Sequence, residues 1–537
     1  MPIELNRLRG RKQVAWFGTT PPHDGRRVFE EREYLVTSCT DVDLQEPAYL
    51  AGLSAVVFTQ SVEKPLQIAK DLEQHAQRLL NYDCRIILRS AQSGLPILTN
   101  LIDLLRLPTG GLPPHEAEKL SKWQNPKNGD PPLPHARYFD ESVLWSNVAN
   151  FVSDGQPGAA PNRALNITIE DRVDSQGKKH KSFLTEQSTL LLQRAFADCK
   201  DIHLVPMPDG HSGVAVYRAC AELAGGLHGQ WPQPHFVKIG KRGKIFAEYK
   251  IYEENVDPYV PFHLGPHLVR ERCCLGANEG VIVGDYVEES ESLRNCAFDG
   301  RSASAIACLF DRTLLGWHRQ AHKVWTPLSA GLLRHFPRRI DGQRFKRAQQ
   351  LGATRNLQQL RSLFELCVSM PVLVGPIHGD LHAANVRVRA TDAIVIDFFA
   401  HRSNYPLLYD AATLEASLLV EGFANDDRNA QEWLDSLAPL YDYRPLDAAV
   451  TQANPKNRSF WFHACVQQIR RYARQWECGR DQYAGALALA LLIKTSKDPS
   501  APETEASRRA AAYVLAERVL SKTFGVQSAP IAPAVAS

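Results

Sequence analysis

The 537-residue chain has no apolar run long enough to cross a bilayer. Its longest smooth one, YAGALALALLI (483–493), falls short of the roughly 20 residues required and reads as a buried helix. The opening residues, MPIELNRLRGRKQ, lack the apolar centre of a secretory signal. Excess charge of either sign is also missing. With 62 Lys and Arg against 59 Asp and Glu, the formal charge is +3, so no nucleic-acid or membrane partner is expected. The 11 cysteines contain no CxxC pair and are scattered except for Cys273 and Cys274. That argues against a zinc ribbon or a disulfide framework and predicts reduced core thiols in a cytoplasmic protein. No internal repeat is present.

What is there is ordinary for a globular chain, 44% hydrophobic and 23% charged, at a length that suggests two or more domains. VAWFG (14–18), YLVT (34–37), SAVVFT (54–59) and RIILRS (85–90) are short and rich in β-formers. VEKPLQIAKDLEQHAQRLL, between the last two, has apolar residues at helical spacing. Strands alternating with helices predict a parallel α/β sheet over residues 1–110. This part resembles a response-regulator receiver, a flavodoxin-like domain. The resemblance implies an acidic pair after the first strand and a phosphorylated Asp ending the third. Those places read Gly18-Thr19-Thr20 and Thr59-Gln60. The expectation is a degenerate receiver-like domain without a phosphoacceptor, a docking or dimerisation module with a possible protein partner. Pro- and Gly-rich stretches then predict a linker region over 111–164, and the end, 526–537, reads as a disordered tail. A second domain starts near LNITIEDRV (165–173), followed by a helix with polar starters at Thr185 and Glu186.

The most informative stretch is IHGDLHAANVRVRATDAIVIDFFA (377–400). VRVR (386–389) and IVID (394–397) read as strands, with ATDA (390–393) as the turn. A hairpin would set Asn385 and Asp397 side by side at its open end, with Asp380 just upstream. Carboxylate and amide oxygens suit Mg²⁺, which also takes waters and substrate phosphates. Asp380 and Asn385 stand in the D-x-x-x-x-N spacing of the kinase catalytic loop, and Asp397 stands where the second metal-binding Asp belongs. The run His378-Gly379-Asp380-Leu381-His382-Ala383-Ala384-Asn385, followed by Ile396-Asp397, resembles the aminoglycoside phosphotransferase and choline kinase-like family, of protein kinase-like fold.

That resemblance implies a nucleotide-binding lobe upstream, expected over 165–288, and a catalytic lobe over 289–525. In IHLVPMPDGHSGVAVYRACAEL (202–223), Gly210, Ser212 and Gly213 would let backbone N–H groups approach phosphates. Lys238 lies in the apolar strand HFVKIGKR (235–242), where a lysine needs a partner. GKIFAEYKIYEEN (243–255) reads as a helix with Ile245, Tyr249 and Tyr252 on one face. Glu248, taken as opening that helix, is the choice to pair with Lys238, with Glu253 and Glu254 as alternatives. GVIVGDYVEESESL (280–293) is the expected hinge, where the main chain at Asp285, Tyr286 and Val287 would hold adenine. Asp410, in YPLLYDAATLEASLL (405–419), would cap or support the catalytic loop. Departures from the family are Phe398-Phe399 after Asp397 and the lack of GxGxxG.

The fold expected is therefore a flavodoxin-like α/β domain plus a two-lobed α+β kinase-like domain. The function implied is ATP- and Mg²⁺-dependent phosphoryl transfer to a hydroxyl of a small molecule, with a protein side chain as another possible acceptor. SGVAV, VKIG, HGDLHAAN and LYDAATLEA more distantly resemble a kinase-like ternary complex-associated domain of bacterial conflict systems. That implies the alternative, a nucleotide-binding or scaffolding module in a defence or signalling complex. RHFPRRIDGQRFKRAQQ (334–350) could bind an anionic substrate but reads first as a solvated helix face. WFHACVQQIRRYARQW (461–476) reads as core. His378 and His382 have the spacing of zinc ligands but read as structural, since no third ligand is near.

Overall fold

Strands buried on both faces read as near-continuous apolar runs; all four first predicted strands form, the edge strand Leu35–Cys39 buried on one face only. In the computed structural model, residues 13–32, 34–46, 49–50, 53–59, 74–75, 78–79, 84–90, 136–153, 161–173, 179–180, 183–207, 214–224, 234–275, 279–421, 430–442, 460–496 and 503–525 are described. The chain divides into two units, residues 1–250 with 267–286, and residues 251–266 with 287–537.

The first unit contains a parallel sheet ordered Leu35–Cys39, Gln13–Phe17, Leu53–Thr59, Arg85–Ser90, Ala136–Asp140. In chain order this is 2-1-3-4-5, a doubly wound arrangement. Successive side chains face opposite ways. Val14, Trp16, Val57, Ile87 and Phe139 pack under helices His23–Glu30 and Trp145–Ser153. Ala15, Val56, Phe58, Ile86 and Leu88 meet Leu44, Leu50 and Leu79 on the other face. The fifth strand and its helix lie inside the stretch expected to be linker. Pro-rich flanks hid them, and ARYFD is short. The helix expected between the third and fourth strands is described only at 74–75 and 78–79.

The second sheet of this unit is ordered Cys274–Leu275, Glu279–Asp285, His235–Lys241, Ala215–Leu223, Cys199–Pro206, Asn166–Ile169, antiparallel except for the last pair. Val237, Ile239, Val281 and Val283 point toward helix Glu186–Ala195 and its Leu191 and Leu192. That helix is capped as expected, Ser188 N donating to Thr185 Oγ1 at 2.9 Å. Phe236 and Ile282 point the other way, against Ile245 of helix Arg242–Ile251.

In the second unit, the hairpin Val386–Arg389/Asp392–Val395 forms a three-stranded antiparallel sheet with Glu291–Ser292. Its turn is tighter than expected. Arg389 pairs with Asp392, leaving Ala390 and Thr391 as the loop, and Ala390 has φ +55°. A second sheet, His322–Val324/Val372–Ile377/Arg402–Pro406, was not expected among the helices. Its central strand carries Gly375 and Pro376, which mask the apolar run. Helix Gln482–Ser496 is buried almost all round, between Leu408–Glu421 and Glu503–Phe524. Its apolar run is therefore core, and among the described residues no helix is long and apolar enough to cross a membrane. One buried ion pair crosses this bundle. Arg470 Nη2 and Nε donate to Glu415 Oε1 at 2.7 Å and Oε2 at 3.1 Å, and Tyr483 Oη donates to Oε2 at 2.8 Å. Two-point geometry and a third donor offset the desolvation of both charges. The helix Phe460–Trp476 that supplies Arg470 has Trp461, Phe462, Tyr472 and Trp476 in the core, as expected for 461–476.

Candidate functional site

The candidate residues fall in both units. In the first, strand alternation puts Lys238 on the same side as Phe236, toward helix Arg242–Ile251. Ile245 and Glu248, three residues apart, share the inner helix face. The lysine therefore meets a carboxylate away from water. Lys238 Nζ lies 2.5 Å from Glu248 Oε1, with the residues 9% and 3% exposed. Glu248 is the partner. The helix begins at Arg242, so this residue sits in its second turn and does not open it. Glu254 is exposed. A buried pair of this kind holds the ammonium in a fixed place at a cost in desolvation.

The predicted phosphate loop, with Gly210, Ser212 and Gly213, lies outside the described residues. At the expected hinge, strand Glu279–Asp285 ends as predicted, but two of its amides are already engaged. Asp285 N donates to His267 O at 2.9 Å and Tyr286 N to Pro234 O at 3.1 Å. The carbonyl of Val287 accepts from Ser290 Oγ at 2.6 Å. Burial raises the Asp285 carboxyl above its usual pKa, with the charge of His267 opposing. The Tyr286 ring lies 5.6 Å from the Arg218 guanidinium.

In the second unit, the loop between Val372–Ile377 and the hairpin is held from behind. Asp410, in the first turn of helix Leu408–Glu421, accepts from His378 N at 2.7 Å and Gly379 N at 2.9 Å, one oxygen to each. This is the support expected of Asp410. It is fully enclosed, and burial raises its pKa, opposed by the charge of His378 and the two amide donors. His378 is buried with Nε2 3.0 Å from Ile396 O, which ties the loop to the hairpin. Gly379 has φ +80°, and a Cβ there would lie 2.1 Å from Ala400 O. The glycine of the HGD run is required by both backbone conformation and space. Ser417, seven residues past Asp410 and so two turns along the same face, accepts from Ala383 N at 2.9 Å. That spacing was available in the sequence and was missed.

These constraints set Asp380, Asn385 and Asp397. Asn385 N donates to His382 O at 2.9 Å, and its side-chain Nδ2 donates to Asp380 O at 3.1 Å. The amide is therefore oriented, with Oδ1 as its remaining acceptor. Ile396 N donates to Asn385 O at 2.9 Å, continuing the hairpin ladder by one step. Asp397 lies just beyond, outside the strand, with φ +67° and ψ +68°. A non-glycine residue in this left-handed region is uncommon and is held by its surroundings. The next residue supplies them. Phe398 is buried with its ring 5.2 Å from Tyr252, 5.4 Å from His378 and 5.8 Å from Trp317. The Asp380 side chain is about one-third exposed, and His382 Nε2 is 4.0 Å from its carboxylate.

Among the described residues no three His, Cys, Asp or Glu side chains gather as a metal cage. Asn385 and Asp397, at one end of the hairpin, would bring two oxygen donors to a hard cation, the small protein share that Mg²⁺ takes alongside waters and phosphates.

No protein-family model and no curated protein matches the chain. Solved structures do resemble it. A thermostable mutant of aminoglycoside phosphotransferase APH(4)-Ia is 10% identical, over 60% of this chain and 95% of its own, with a TM-score of 0.34. Amicoumacin kinase hAmiN, in complex with AMP-PNP, Ca²⁺ and Ami, is 12% identical over 60% and 88%, with a TM-score of 0.32. Aminoglycoside phosphotransferase APH(3'')-Id of Streptomyces rimosus is 17% identical over 52% and 97%, with a TM-score of 0.26. Likeness at that level assigns no function, and what the chain does is argued from its own residues.

Proposed function

We propose that the chain is an ATP- and Mg²⁺-dependent phosphotransferase of protein kinase-like fold, acting on a hydroxyl of a small molecule. The observation that carries this reading is the oriented loop: Asn385 fixed on the Asp380 carbonyl, Asp397 held left-handed at the hairpin end, and Asp410 clamping both preceding amides. Side chains constrained this closely are what positioning catalysis requires. Asn385 and Asp397 would hold Mg²⁺, which when bound would neutralise phosphate charge. Lys238, steadied by Glu248, takes the α- and β-phosphates. Gly210, Ser212 and Gly213 approach the phosphates through backbone N–H groups, and the main chain at Asp285 to Val287 takes adenine through groups other than the engaged Asp285 and Tyr286 amides. Asp380 orients the acceptor. The acceptor oxygen bonds to the γ-phosphorus, the bond from that phosphorus to the bridging oxygen breaks, ADP leaves with the electron pair, and the hydroxyl proton passes to the Asp380 carboxylate.

The first sheet supports a separate role for the front domain. Its 2-1-3-4-5 order is that of flavodoxin-like receivers. At the carboxyl ends of its adjacent first and third strands, Thr19 Oγ1 and Thr59 Oγ1 lie 3.0 Å apart. Two neutral hydroxyls stand where phosphoryl chemistry needs carboxylates, so we read this domain as a docking module.

The test is ATP binding by calorimetry, with and without Mg²⁺, on the wild type, Asp397→Asn and Asp380→Ala. Magnesium-dependent binding that weakens sharply in Asp397→Asn is expected. Asp380→Ala should abolish transfer and leave ATP binding nearly intact; equal loss of both would sink its assigned role. No binding at millimolar ATP would mean that the loop serves as scaffold.

A further inference from the structure

The basic run 334–350 is not simply a solvated helix face. Its helix starts only at Gly342, and Arg344 is buried, bonded to Thr495 O at 2.5 Å. Arg334, upstream of that helix, stacks elsewhere, with its guanidinium 5.1 Å from the Tyr405 ring. Arg334 Nε also donates to His335 Nε2 at 3.1 Å, which makes that nitrogen an acceptor and His335 neutral. The His335 ring lies 5.5 Å from Tyr405 and 6.1 Å from Tyr409, and those two tyrosine rings are 5.3 Å apart. Arg402 completes the group at the start of strand Arg402–Pro406.

Three features of this cluster bear on what it binds. Arg301, Arg312, Arg355 and Arg361 of the same unit each face a carboxylate. Among the described residues, Arg334 and Arg402, like the exposed Arg338 and Arg339, have none within ion-pair distance; Arg402 Nη1 donates to His401 O at 2.9 Å. The charges of Arg334 and Arg402 bear on His335 and hold its pKa down, after burial, which is the larger cause. Second, Tyr405 is 2% exposed, yet its hydroxyl makes no hydrogen bond of ordinary geometry, although Arg334 lies beside it. A buried hydroxyl in that state costs stability unless a ligand completes it. Third, the cluster borders the catalytic loop. Arg402 pairs with Ile377, the last strand residue before His378-Gly379-Asp380, and Tyr409 precedes the clamping Asp410. The charge of Asp380 reaches the Tyr409 hydroxyl.

We propose that Arg334, Arg402 and Tyr405 form the acceptor subsite beside Asp380, and that the acceptor is a hydroxylated small molecule carrying a phosphate or carboxylate group. Naming this class rests on the phosphotransferase reading of Asp380. Two guanidinium groups bonded to neutral partners and to no carboxylate attract an anion and repel a polycation. The Tyr405 hydroxyl donates to the same anion, and the rings of Tyr405, Tyr409 and His335 wall one side.

The test is calorimetric binding to the full chain without nucleotide, using glucose 6-phosphate, gluconate and inorganic phosphate against glucosamine. The anions should bind and glucosamine should not. Arg334→Ala and Arg402→Ala should each weaken anion binding about tenfold, the effect of one charge-assisted hydrogen bond. Tyr405→Phe should weaken it while leaving thermal stability unchanged or raised. Arg361→Ala, whose guanidinium already faces Glu365, should leave anion binding intact. Comparing the three anions separates a phosphate from a carboxylate preference. Preferential binding of glucosamine, equal anion binding by the Arg334→Ala/Arg402→Ala double variant, or no anion binding at millimolar concentration would each overturn the assignment. Anion binding in a chain that fails to bind ATP would support the subsite and count against the phosphotransferase reading.

Discussion

Gly379→Ala is the sharpest single test of the loop geometry. The added Cβ would stand 2.1 Å from the carbonyl oxygen of Ala400, more than 1 Å inside the roughly 3.3 Å at which carbon and oxygen ordinarily meet. The left-handed conformation alone costs an alanine about 1–2 kcal/mol. The clash has no flexible side chain to absorb it. Ala400 lies in the turn Phe398–Ala400, closed by His401 N donating to Phe398 O at 2.9 Å. The loop is fixed on its other side by Asp410 and by the link from His378 to Ile396. Relief requires a main-chain shift of about 1 Å, which adds strain comparable to overpacking, about 1–3 kcal/mol. The total, about 2–5 kcal/mol, corresponds to a fall of roughly 4–20 °C in the melting temperature of a domain this large. The same shift displaces Asp380, and a misplacement of that size costs about 100-fold in rate. Gly342→Ala is the control, since nothing lies within 4 Å of its Cβ and it should be neutral or stabilising by up to about 1 kcal/mol. Differential scanning calorimetry on both variants decides the matter. If Gly379→Ala melts within 2 °C of the wild type, the account of why the loop needs glycine is wrong.

Lys238→Ala leaves Glu248 buried without its ammonium partner and should destabilise by about 3–5 kcal/mol, while Lys238→Met/Glu248→Leu should lose far less; additive losses in the thermodynamic cycle would show that the two do not act as a pair. Glu415→Ala strands Arg470 in the helical core and should cost a similar amount, about 3–5 kcal/mol, read as a lower unfolding midpoint; a neutral result would mean that water reaches the guanidinium. His401 is held down to about 4 from an ordinary 6.5, first by burial and then by the charges of His378 and Arg402. Between those values the unfolded chain binds a proton that the folded chain does not. Stability is therefore complete above the unfolded value and declines as pH falls from about 6.5 toward 4. His401→Phe should flatten that decline by about one proton, measured as melting temperature against pH, and an unchanged slope would place the titration on other groups.

Sequence alone settled what is local. The β-rich runs of the first sheet, the capped helix after Thr185, the hairpin after Asn385 and the buried helix of residues 483–493 were legible because strand alternation, capping chemistry and apolar length act within a few residues. Most of the candidate site was legible for the same reason: Asp380, Asn385 and Asp397 lie in one short segment, and Lys238 and Glu248 are ten residues apart. Register and long-range closure were not legible. The turn at Ala390 and Thr391 sets Ile396, not Asp397, opposite Asn385 and leaves Asp397 outside the strand; its left-handed conformation is one that Asp tolerates better than most residues, but nothing local demanded it there. The engaged amides at Asp285 and Tyr286, the joining of Arg402–Pro406 to Val372–Ile377, and the meeting of Arg334 with Tyr405 depend on partners 18 to 71 residues away. A one-dimensional pattern shows which side chains are polar. Only the packed chain decides which of them find which partner: Arg470 meets a buried carboxylate, while Arg334 and Arg402 meet a neutral ring and a main-chain carbonyl.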